Sequence, residues 1–518
     1  MSERIKSVCI VGGGSAGWLA AAVIAARHRA GHPDDIEVTL IESEAIGIIG
    51  VGEGTWPTMR NTLRKIGVSE TEFFRECDVS FKQGAKFTRW VTGAEDDFYY
   101  HPLVLPEGFP SLDLASFWNH YAAGNEAVPS FSDAVCFQEA VCEKGLAPKL
   151  ITTPEYGCVA NYAYHLDAHK FAAFLKKHCL EKLGIRHVVD EVEDVVLGES
   201  GDISHLATAR NGELKADLFV DCTGFHALLI GKALGVPFRS CQDVLFIDRA
   251  LTVQVPYQSP DQEIPPYTIA AAQSNGWIFD IGVQTRRGVG HVYSTAHTTK
   301  EKAEAELAAH IGPAIEKLQP REIPIRSGHR EMFWKGNCVA VGLSAGFLEP
   351  LEASALVLIE LSVEMISAML PATRGTMDIT ARRFNEVTRY RWDRIIDFLK
   401  LHYVLSQRTD SAFWDDNRDP ATIPDSLREQ LDLWRYRAPG DQDFSSNNEM
   451  FPAASYQYVL FGMGFKMDLS GRSYLVQDGA RAEEAFRRNA AMKDKWTRTL
   501  PKNRELIGKI LEYGMAKV

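Results

Sequence analysis

The chain has 518 residues, of which 45% are hydrophobic and 24% charged, and its formal net charge is −12 at pH 7. A single hydrophobic core stops growing near about 250 to 300 residues, so this length predicts more than one structural unit. The acidic balance, without a block of Lys or Arg, argues against binding to nucleic acid or to an anionic membrane, because both need concentrated positive charge. Small molecules are therefore the expected ligands.

The cysteines and the first residues of the chain are typical of a cytoplasmic protein. Nine cysteines lie scattered from Cys9 to Cys338 without a CxxC motif, which fits neither a disulfide framework nor a thiolate zinc site. The first residues run from charges straight into an apolar strand, so we expect no signal peptide. The apolar stretch from Ser354 to Leu370 contains two glutamates, so we expect no membrane span.

The strongest local motif stands near the start of the chain. An apolar strand from Ser7 leads into Gly12-Gly-Gly14-Ser15-Ala16-Gly17, which opens a helix of small and apolar residues. In this GxGxxG pattern the first glycine permits the tight turn, the second lets the backbone approach a pyrophosphate, and the third lets helix and strand pack closely. A second strand, residues 36–41, ends at Glu42, where a carboxylate can accept hydrogen bonds from ribose hydroxyls. The pattern predicts a dinucleotide site and leaves NAD and FAD open.

Two later segments favour FAD over NAD. One apolar strand ends at Asp221 after a hairpin marked by Asn211-Gly212, and another runs into a small-residue loop at Gly342. Three widely separated returns of the chain to one nucleotide site are typical of a flavoprotein monooxygenase-like fold. A simple nicotinamide dehydrogenase would concentrate these signals in one contiguous half.

Seven collinear segments resemble the flavin-dependent tryptophan halogenase family. They are Gly50-Val-Gly52-Glu-Gly-Thr-Trp-Pro57, Ser80-Phe-Lys82-Gln-Gly-Ala-Lys-Phe87, Tyr100-His101-Pro102, Asp221-Cys-Thr-Gly-Phe225, and residues 276–294, 347–355 and 460–464. The resemblance implies an α/β fold: a Rossmann-like FAD-binding domain of the flavin monooxygenase type, a second β-sheet and a mostly helical C-terminal substrate region.

The resemblance also implies a reaction and its partners. Reduced FAD, delivered by a separate flavin reductase, reacts with O2 and with chloride or bromide to give hypohalous acid, which travels to an electron-rich, indole-like substrate. Lys82 matches the family's active-site lysine and Glu352 its active-site glutamate, while Glu349 is interpreted as structural. An ammonium hydrogen bond, or capture of the halogen as a haloamine, would aim it, and a nearby carboxylate can take the proton that the ring releases.

The FAD and halide sites gain further residues from the same resemblance. Gly52 joins the FAD-binding set, and the backbone amides of Ser354 and Ala355 match the halide site, where N–H groups at a helix N-terminus can hold an anion. The usual Ser-Thr-Gly of the family is Ala353-Ser354-Ala355 here. We therefore expect bromide to be used at least as well as chloride.

The predicted wall between flavin and substrate departs from the family pattern. The usual Trp-x-Trp-x-Ile-Pro is Trp277-Ile-Phe279-Asp-Ile281-Gly282 in this chain. Phe279 keeps an aromatic wall, whereas glycine in place of proline predicts a looser backbone. For this reason an FAD-dependent aromatic hydroxylase stays open as an alternative. A non-catalytic flavin-binding homologue is a second alternative, and the presence of both Lys82 and Glu352 argues against it.

The predicted substrate pocket includes His101 and Pro102. Leu103 stands where tryptophan-specific members tend to carry Phe, and an aliphatic side chain still covers a ring face. One other pair, His165 and His169, has helical spacing for a metal site, but no third ligand accompanies it. A helix that begins at Asp167 is the favoured interpretation, and we expect no metal.

The organisation of the chain follows from these motifs. Residues 1–80, 151–235 and 330–375 are predicted to form a discontinuous FAD-binding domain, and residues 81–150, 236–329 and 376–518 a substrate-binding region. The residue pattern also predicts strands of a second sheet over 236–330 and a helix over 382–403. Residues 438–448 are rich in Pro, Gly, Asp, Ser and Asn and predict a flexible recognition loop. A monomer and a homodimer both remain open.

Overall fold

The computed structural model describes residues 4–28, 35–44, 50, 52–123, 125, 127–444, 446, 448–471 and 478–517. Val51 of the Gly52 motif, and Ser445 and Asn447 of the predicted recognition loop, lie outside the described residues. Strands and helices are numbered separately in chain order.

The strands of the described residues are short to medium in length. They are β1 Ser7–Val11, β2 Glu37–Glu42, β3 Glu53–Gly54, β4 Ser80–Lys82, β5 Gly84–Thr88, β6 Phe98–Pro102, β7 Ala163–Leu166, β8 Arg186–Val189, β9 Val192–Leu197, β10 Ile203–Thr208, β11 Gly212–Leu214, β12 Leu218–Asp221, β13 Phe238–Ser240, β14 Arg249–Pro256, β15 Thr268–Gln273, β16 Gly276–Gly282, β17 Arg286–Tyr293, β18 Arg321–Pro324, β19 Gly328–Arg330, β20 Trp334–Lys335, β21 Cys338–Ala340 and β22 Gly346–Phe347.

The α-helices concentrate toward the C-terminal part of the chain. They are α1 Ser15–His28, α2 Thr58–Lys65, α3 Glu70–Glu76, α4 Leu114–Ala122, α5 Phe131–Val135, α6 Gln138–Glu143, α7 Ala168–Lys182, α8 Lys300–Ile311, α9 Ser354–Ala368, α10 Arg374–Val404, α11 Ala412–Asn417, α12 Asp425–Trp434, α13 Ala453–Gly462, α14 Gly479–Thr499 and α15 Asn503–Tyr513. None of these helices has the length and apolar character needed to cross a bilayer.

The chain divides into two compact units. The first comprises Met1–Val79, Leu166–Cys241 and Arg326–Trp392, and the second comprises Ser80–His165, Gln242–Ile325 and Asp393–Val518. Helix α10 begins in the first and ends in the second. The assignment of the first unit to FAD and of the second to the substrate stays a prediction.

The first unit is built on a six-stranded sheet with the order β20-β21-β12-β1-β2-β8. Neighbours are parallel except for β20, which is antiparallel to β21. The register places Val11 opposite Asp221 and Asp221 opposite Ala340, so three strands end side by side. The chain moves from β1 to β2 on one side and returns to β12 on the other, and nucleotides bind at such switch points.

Helices cover this sheet because their sequences are small and apolar. Helix α1 is buried from Gly17 to Ala25 and packs against α7 and α9. Helix α7 begins where predicted: the Asp167 side chain accepts hydrogen bonds from the backbone N–H groups of His169 and Lys170, at 2.9 and 3.0 Å. His165 lies on β7 and His169 on α7, so the two do not share a helix face. The predicted hairpin at Asn211-Gly212 joins β10 to β11.

The second unit contains a seven-stranded sheet with the order β18-β14-β17-β16-β15-β5-β6. Its neighbours are antiparallel, apart from the parallel pair β5 and β15. Strands β4 and β7 form a separate antiparallel ladder, with Lys82 opposite Ala163. Helix α8 packs on β14 and β17, and α13 packs on β6. The predicted α/β fold class, with its second sheet and helical C-terminal region, is confirmed.

Candidate active site

The glycine turn of the first unit is shaped by close backbone contacts. Gly12 has φ +117°, and a Cβ atom there would lie 2.3 Å from the carbonyl oxygen of Cys222. A Cβ atom on Gly17 would lie 1.8 Å from the carbonyl oxygen of Gly12. At Gly14, by contrast, a Cβ atom would meet no atom within 4 Å. The first and third glycines therefore allow strand and helix to pack, and the second leaves open space at the start of α1.

Glu42 stands at the end of β2 beside this turn. Its Oε1 accepts hydrogen bonds from Lys176 Nζ at 2.6 Å and from His187 Nε2 at 2.9 Å. A Cβ atom on Gly13 would lie 1.5 Å from its Oε2, so the carboxylate fits against a second glycine of the turn. The predicted placement of an acidic group next to the glycines is thus observed, and its contact with a ribose stays a prediction.

Asp221 holds the second and third returns of the chain together. Its buried carboxylate accepts hydrogen bonds from the backbone and side chain of Thr223 at 3.0 and 2.7 Å, and from the backbone N–H groups of Leu229 and Ile230 at 2.9 and 2.8 Å. Its carbonyl oxygen accepts a hydrogen bond from the backbone N–H of Val341 at 2.9 Å. Because both carboxylate oxygens serve its own loop, this residue shapes the end of the sheet rather than facing outward.

The remaining cofactor candidates lie around the start of α1. Gly342 has φ +72°, and a Cβ atom there would lie 2.9 Å from the Cβ of Ala16. The Ser15 hydroxyl donates to the carbonyl oxygen of Ala168 at 3.4 Å, and a Cβ atom on Gly50 would lie 2.5 Å from the Cβ of that alanine. Gly52, partly exposed, follows in the same segment. The glycine turn, the third return and the segment at Gly50 therefore converge on one edge of the sheet.

The loop before α9 has an unusual backbone. Glu352 and Ala353 have φ of 62° and 53°, in the left-handed region that costs non-glycine residues about 1 to 3 kcal/mol each. The indole N–H of Trp56 donates to the carbonyl oxygen of Glu352 at 2.8 Å and helps to hold this conformation. Ser354 and Ala355 then begin α9, behind an N-cap alanine whose side chain has no acceptor. Backbone N–H groups thus stand at the start of α9, two residues after Glu352 in the chain.

A buried carboxyl group within the first two turns of α9 braces this helix. Glu360, only 3% exposed, accepts hydrogen bonds from the hydroxyls of Thr58 at 3.2 Å and Thr62 at 2.6 Å on α2. Burial raises the pKa of Glu360 to about 8, so the protonated form dominates at neutral pH. The two threonines join α9 to α2, and Trp56, just before α2, bonds to the loop just before α9.

Lys82 lies in the second unit, on the β4–β7 ladder, and is only 4% exposed. Ser80 is opposite His165 and Lys82 is opposite Ala163, so the lysine and the histidine point to the same side of the ladder. His165 forms a 2.8 Å hydrogen bond with the Thr268 hydroxyl. Burial, and then the charge of Lys82, hold the pKa of His165 well below its usual value. The predicted pairing of Lys82 with Glu352 stays a prediction.

Trp277, Phe279 and Ile281 alternate along β16 and share one face of the sheet, and all three are buried. The indole N–H of Trp277 donates to the Tyr403 hydroxyl at 3.1 Å. Phe279 lies opposite Gly290, and its ring occupies the space of the missing side chain, since a Cβ atom there would lie 2.2 Å from Cζ. Both aromatic rings are therefore held by specific neighbours.

Gly282 at the end of this wall is also held in place. It lies within regular β16, and its carbonyl oxygen accepts a hydrogen bond from the Ser80 hydroxyl at 2.5 Å. A Cβ atom at this position would lie 2.9 Å from both Ile264 Cγ2 and the Tyr257 hydroxyl oxygen. Packing and a side-chain hydrogen bond thus contact Gly282 in this strand, and the expectation of a looser backbone stays a prediction.

The predicted pocket residues sit at the end of β6. His101 is buried, and its Nε2 shares a 2.9 Å hydrogen bond with the Ser455 hydroxyl on α13. Pro102 is opposite Gly84 on β5, and Leu103, partly exposed, follows directly after the strand. The segment that carries these residues is therefore part of the same sheet as Trp277.

Comparison with known proteins decides the family. Residues 7–473 match the family model described as tryptophan halogenase. This chain belongs to the tryptophan halogenase family. The resemblance found in the sequence is thereby confirmed, and this halogenase is an enzyme of the flavin-dependent class.

Individual relatives agree along nearly the full length. Tryptophan 6-halogenase SttH from Streptomyces toxytricini is 34% identical over 92% of this chain and 93% of its own length. Tryptophan 7-halogenase RebH from Lentzea aerocolonigenes is 32% identical over 98% of this chain and 99% of its own. The crystal structure of a tryptophan halogenase from Shewanella frigidimarina is 45% identical, with a TM-score of 0.96, over 100% of this chain and 99% of that one.

Several residues that support the candidate site of this halogenase have no motif to announce them. Tyr403 and Ser455 each contact a motif residue from a distant part of the chain, and Glu360 joins α9, which begins at Ser354, to Thr62 on α2. A buried polar residue within an apolar helix, such as Glu360, was the one available signal. Among the described residues, no three His, Cys, Asp or Glu side chains come together as a metal site.

Proposed function

We propose that this halogenase uses FADH2, O2 and chloride or bromide to halogenate an electron-rich, indole-like aromatic substrate, with Lys82 directing the halogen. The observation that carries the proposal is the burial of Lys82 on a ladder beside His165, whose pKa is lowered. A hydrogen bond from a buried ammonium group is stronger than one from an exposed lysine, because the protein interior screens charge less than water does.

The first unit would hold the FAD. The open face of Gly14 at the start of α1 suits a pyrophosphate, because N–H groups at a helix N-terminus attract anions. Glu42, Ser15, Ala16, Gly52 and Gly342 surround the same edge, and Asp221 would act by fixing the loop. When bound as FADH2, the cofactor supplies the electrons that turn O2 and halide into hypohalous acid and water.

The start of α9 would hold the halide. The backbone N–H groups of Ser354 and Ala355 follow an alanine N-cap that cannot satisfy them with its side chain. Bromide loses its hydration more easily than chloride, so we expect bromide to be used at least as well. Chiefly chlorinated product at equal halide concentrations would contradict this expectation.

Lys82 and Glu352 would divide the transfer step between them. The Lys82 ammonium donates a hydrogen bond to the oxygen of hypohalous acid, or its neutral amine captures the halogen and releases water. The aromatic carbon then attacks the halogen, and the halogen–oxygen or halogen–nitrogen bond breaks. The oxygen leaves as water with a proton from the Lys82 ammonium group, or the nitrogen leaves as the Lys82 amide anion equivalent and is protonated back to the amine. The ring proton passes to the Glu352 carboxylate as aromaticity returns. The left-handed backbone at Glu352 would aim that carboxylate.

The aromatic wall supports halogenation over hydroxylation. Trp277 is fixed by Tyr403, and Phe279 is seated on Gly290, so both rings that would separate substrate from flavin stay ordered. Relatives are named as halogenases of tryptophan at the 6 and 7 positions. We therefore propose an indole ring as the substrate, with Leu103 among the residues that cover it.

We also propose a cytoplasmic location and a partner enzyme. A separate flavin reductase would supply FADH2. All nine cysteines are free thiols, and eight of them are buried, which suits the reducing cytoplasm.

The proposal is tested by Lys82→Met, which keeps the length of the stem and removes the charge. We expect halogenated product to disappear, while FAD binding and the oxidation of FADH2 by O2 continue. Lys86→Met is the matched control, since Lys86 lies on β5 and pairs with Glu143 at 2.6 Å. Product formation by Lys82→Met at the rate of the control would show that Lys82 is a bystander.

A further inference from the structure

Three amide side chains form a buried network in the second unit. Gln83 and Gln138 are fully buried, and Asn161 is partly buried. No motif of the sequence includes Gln138, which is the first residue of α6. A buried amide destabilises a protein unless its hydrogen bonds are made, so the arrangement of these bonds indicates what the network does.

Gln138 makes every hydrogen bond that its side chain can make. Its Oε1 accepts from the backbone N–H groups of Leu103 and Val104, both at 2.8 Å. Its Nε2 donates to the carbonyl oxygen of Asn161 at 2.7 Å and to Gln83 Oε1 at 3.4 Å. Two acceptor and two donor positions are thus filled by three segments of the chain.

The same three segments are joined by further bonds. The Asn161 side chain donates to the carbonyl oxygen of Leu103 at 2.9 Å, and the Leu103 N–H also approaches the Gln83 carbonyl oxygen at 3.3 Å. Next to them, a Cβ atom on Gly84 would lie 2.5 Å from the carbonyl oxygen of His101. The backbone directly after Lys82 and the backbone of the predicted pocket are therefore in close, fixed contact.

We propose that Gln138 is a positioning residue that sets the distance from Lys82 to the aromatic pocket and thereby decides which ring carbon is halogenated. This inference rests on the proposed roles of Lys82 and of the pocket segment His101–Leu103. It assigns site selectivity to a residue that lies on neither segment.

The physical reason is the short distance between the ring carbons that compete for the halogen. Adjacent carbons of an aromatic ring are separated by only about 1.4 Å, and a misplacement of about 1 Å is enough to change a reaction rate on the order of a hundredfold. Without Gln138, the N–H of Val104 loses its bond and that of Leu103 keeps only its longer contact, so the pocket segment can shift against Lys82. An apolar residue of similar volume would fill the same space but would make none of these hydrogen bonds.

The test compares Gln138→Met with Gln430→Met, since Gln430 is another buried glutamine of the second unit, on α12. Gln138→Glu is the conservative variant, because it retains an acceptor for the two N–H groups. The first readout is hydrogen exchange at the amides of Leu103 and Val104, which needs no activity. We expect about tenfold faster exchange at Val104 in Gln138→Met, partial rescue in Gln138→Glu and no change in Gln430→Met.

The second readout is the distribution of halogenated isomers formed from a substituted indole. We expect Gln138→Met to spread product over additional ring carbons and to raise KM more than it lowers kcat, with Gln138→Glu between it and the wild type. Unchanged exchange at Val104, or faster exchange with an unchanged isomer distribution, would overturn the proposal. No halogenated product from the wild type would instead reject the proposed function, and the exchange experiment separates the two failures.

Discussion

The two units build their candidate sites from different materials. In the first, the site is made of backbone and of missing side chains: Gly12 and Gly17 let strand and helix touch, and Gly14 leaves space open. In the second, it is made of large side chains that are held by remote partners, as Trp277 is by Tyr403 and His101 by Ser455. A short sequence motif can specify a site that is made of backbone atoms. A site that is made of side chains depends on the packing of the whole unit.

Helix α9 breaks this division within the first unit. Its N-terminal backbone is the proposed halide site, yet that backbone is held by side chains, namely Trp56 at Glu352 and two threonines at Glu360. The substitutions below test whether each site depends on the backbone geometry or the side chains described for it.

The largest effect is expected at the one catalytic side chain proposed in the first unit. Glu352→Gln retains a hydrogen-bonding group but cannot accept the ring proton, so kcat for halogenation should fall by about 10²–10⁴. The matched control is Glu364→Gln on the following helix, α9, which changes a partly exposed carboxylate that pairs with Lys65. Steady-state kinetics with reductase and halide in excess make the measurement, and equal rates for the two variants would remove Glu352 from the mechanism.

The next effect concerns the brace at Glu360, whose pKa is raised to about 8 in the folded protein. The unfolded chain loses this proton near pH 4.3, so the folded state binds more protons between these values. The contribution of Glu360 to the free energy of unfolding is therefore most favourable below about pH 4.3. It falls by about 1.4 kcal/mol per pH unit as the pH rises toward 8.

Glu360→Gln keeps the shape and removes this titration. The variant should therefore gain in stability relative to the wild type as the pH rises from 5 to 8, and the gain should level off above that. Denaturant unfolding at several pH values, with Glu364→Gln as the reference, measures the free energy of unfolding. A constant difference between Glu360→Gln and the wild type across this range would show that Glu360 does not titrate as described.

A methyl group in the glycine turn tests the backbone site. In Gly17→Ala the new Cβ would approach the carbonyl oxygen of Gly12 to 1.8 Å, so strand and helix must separate. Overpacking of this kind costs about 1–3 kcal/mol, which corresponds to roughly a five- to 150-fold weaker affinity for FAD. Fluorescence titration with FAD measures it, and Gly508→Ala, within α15 and with no atom within 4 Å of the Cβ position, controls for loss of a glycine. Unchanged affinity in Gly17→Ala would place the FAD elsewhere.

The smallest effect is expected at the wall of the second unit. Tyr403→Phe removes the acceptor of the Trp277 N–H, and a lost buried hydrogen bond costs about 1 kcal/mol, or roughly fivefold in a population. The fraction of consumed O2 that appears as halogenated product should fall by that order. Phe87→Leu, which alters the same aromatic surroundings without a hydrogen bond, is the comparison. Identical coupling in Tyr403→Phe and the wild type would mean that the wall does not depend on this bond.

The same contrast explains what the sequence predicted. The order of strand, glycine turn and helix at Gly12, the end of β2 at Glu42 and the cap at Asp167 are local, so residue pattern alone located them. The left-handed backbone at Glu352 and the bond of Gln138 to Leu103 were not predicted, because they arise from segments that meet only in the folded chain. Helix α10 begins at Arg374, earlier than the expected residue 382, because Gly375, Thr376 and Thr380 are poor helix formers and obscured its first turns.

The central claim is that the oxidising power of a flavin reaches the substrate of this enzyme as a halogen. Mass spectrometry of indoles incubated with the enzyme, a flavin reductase, and chloride or bromide tests it most directly. We expect a product in which a halogen with its two-isotope pattern has replaced one ring hydrogen. A product that has gained one oxygen and no halogen would contradict halogenation and identify a hydroxylase.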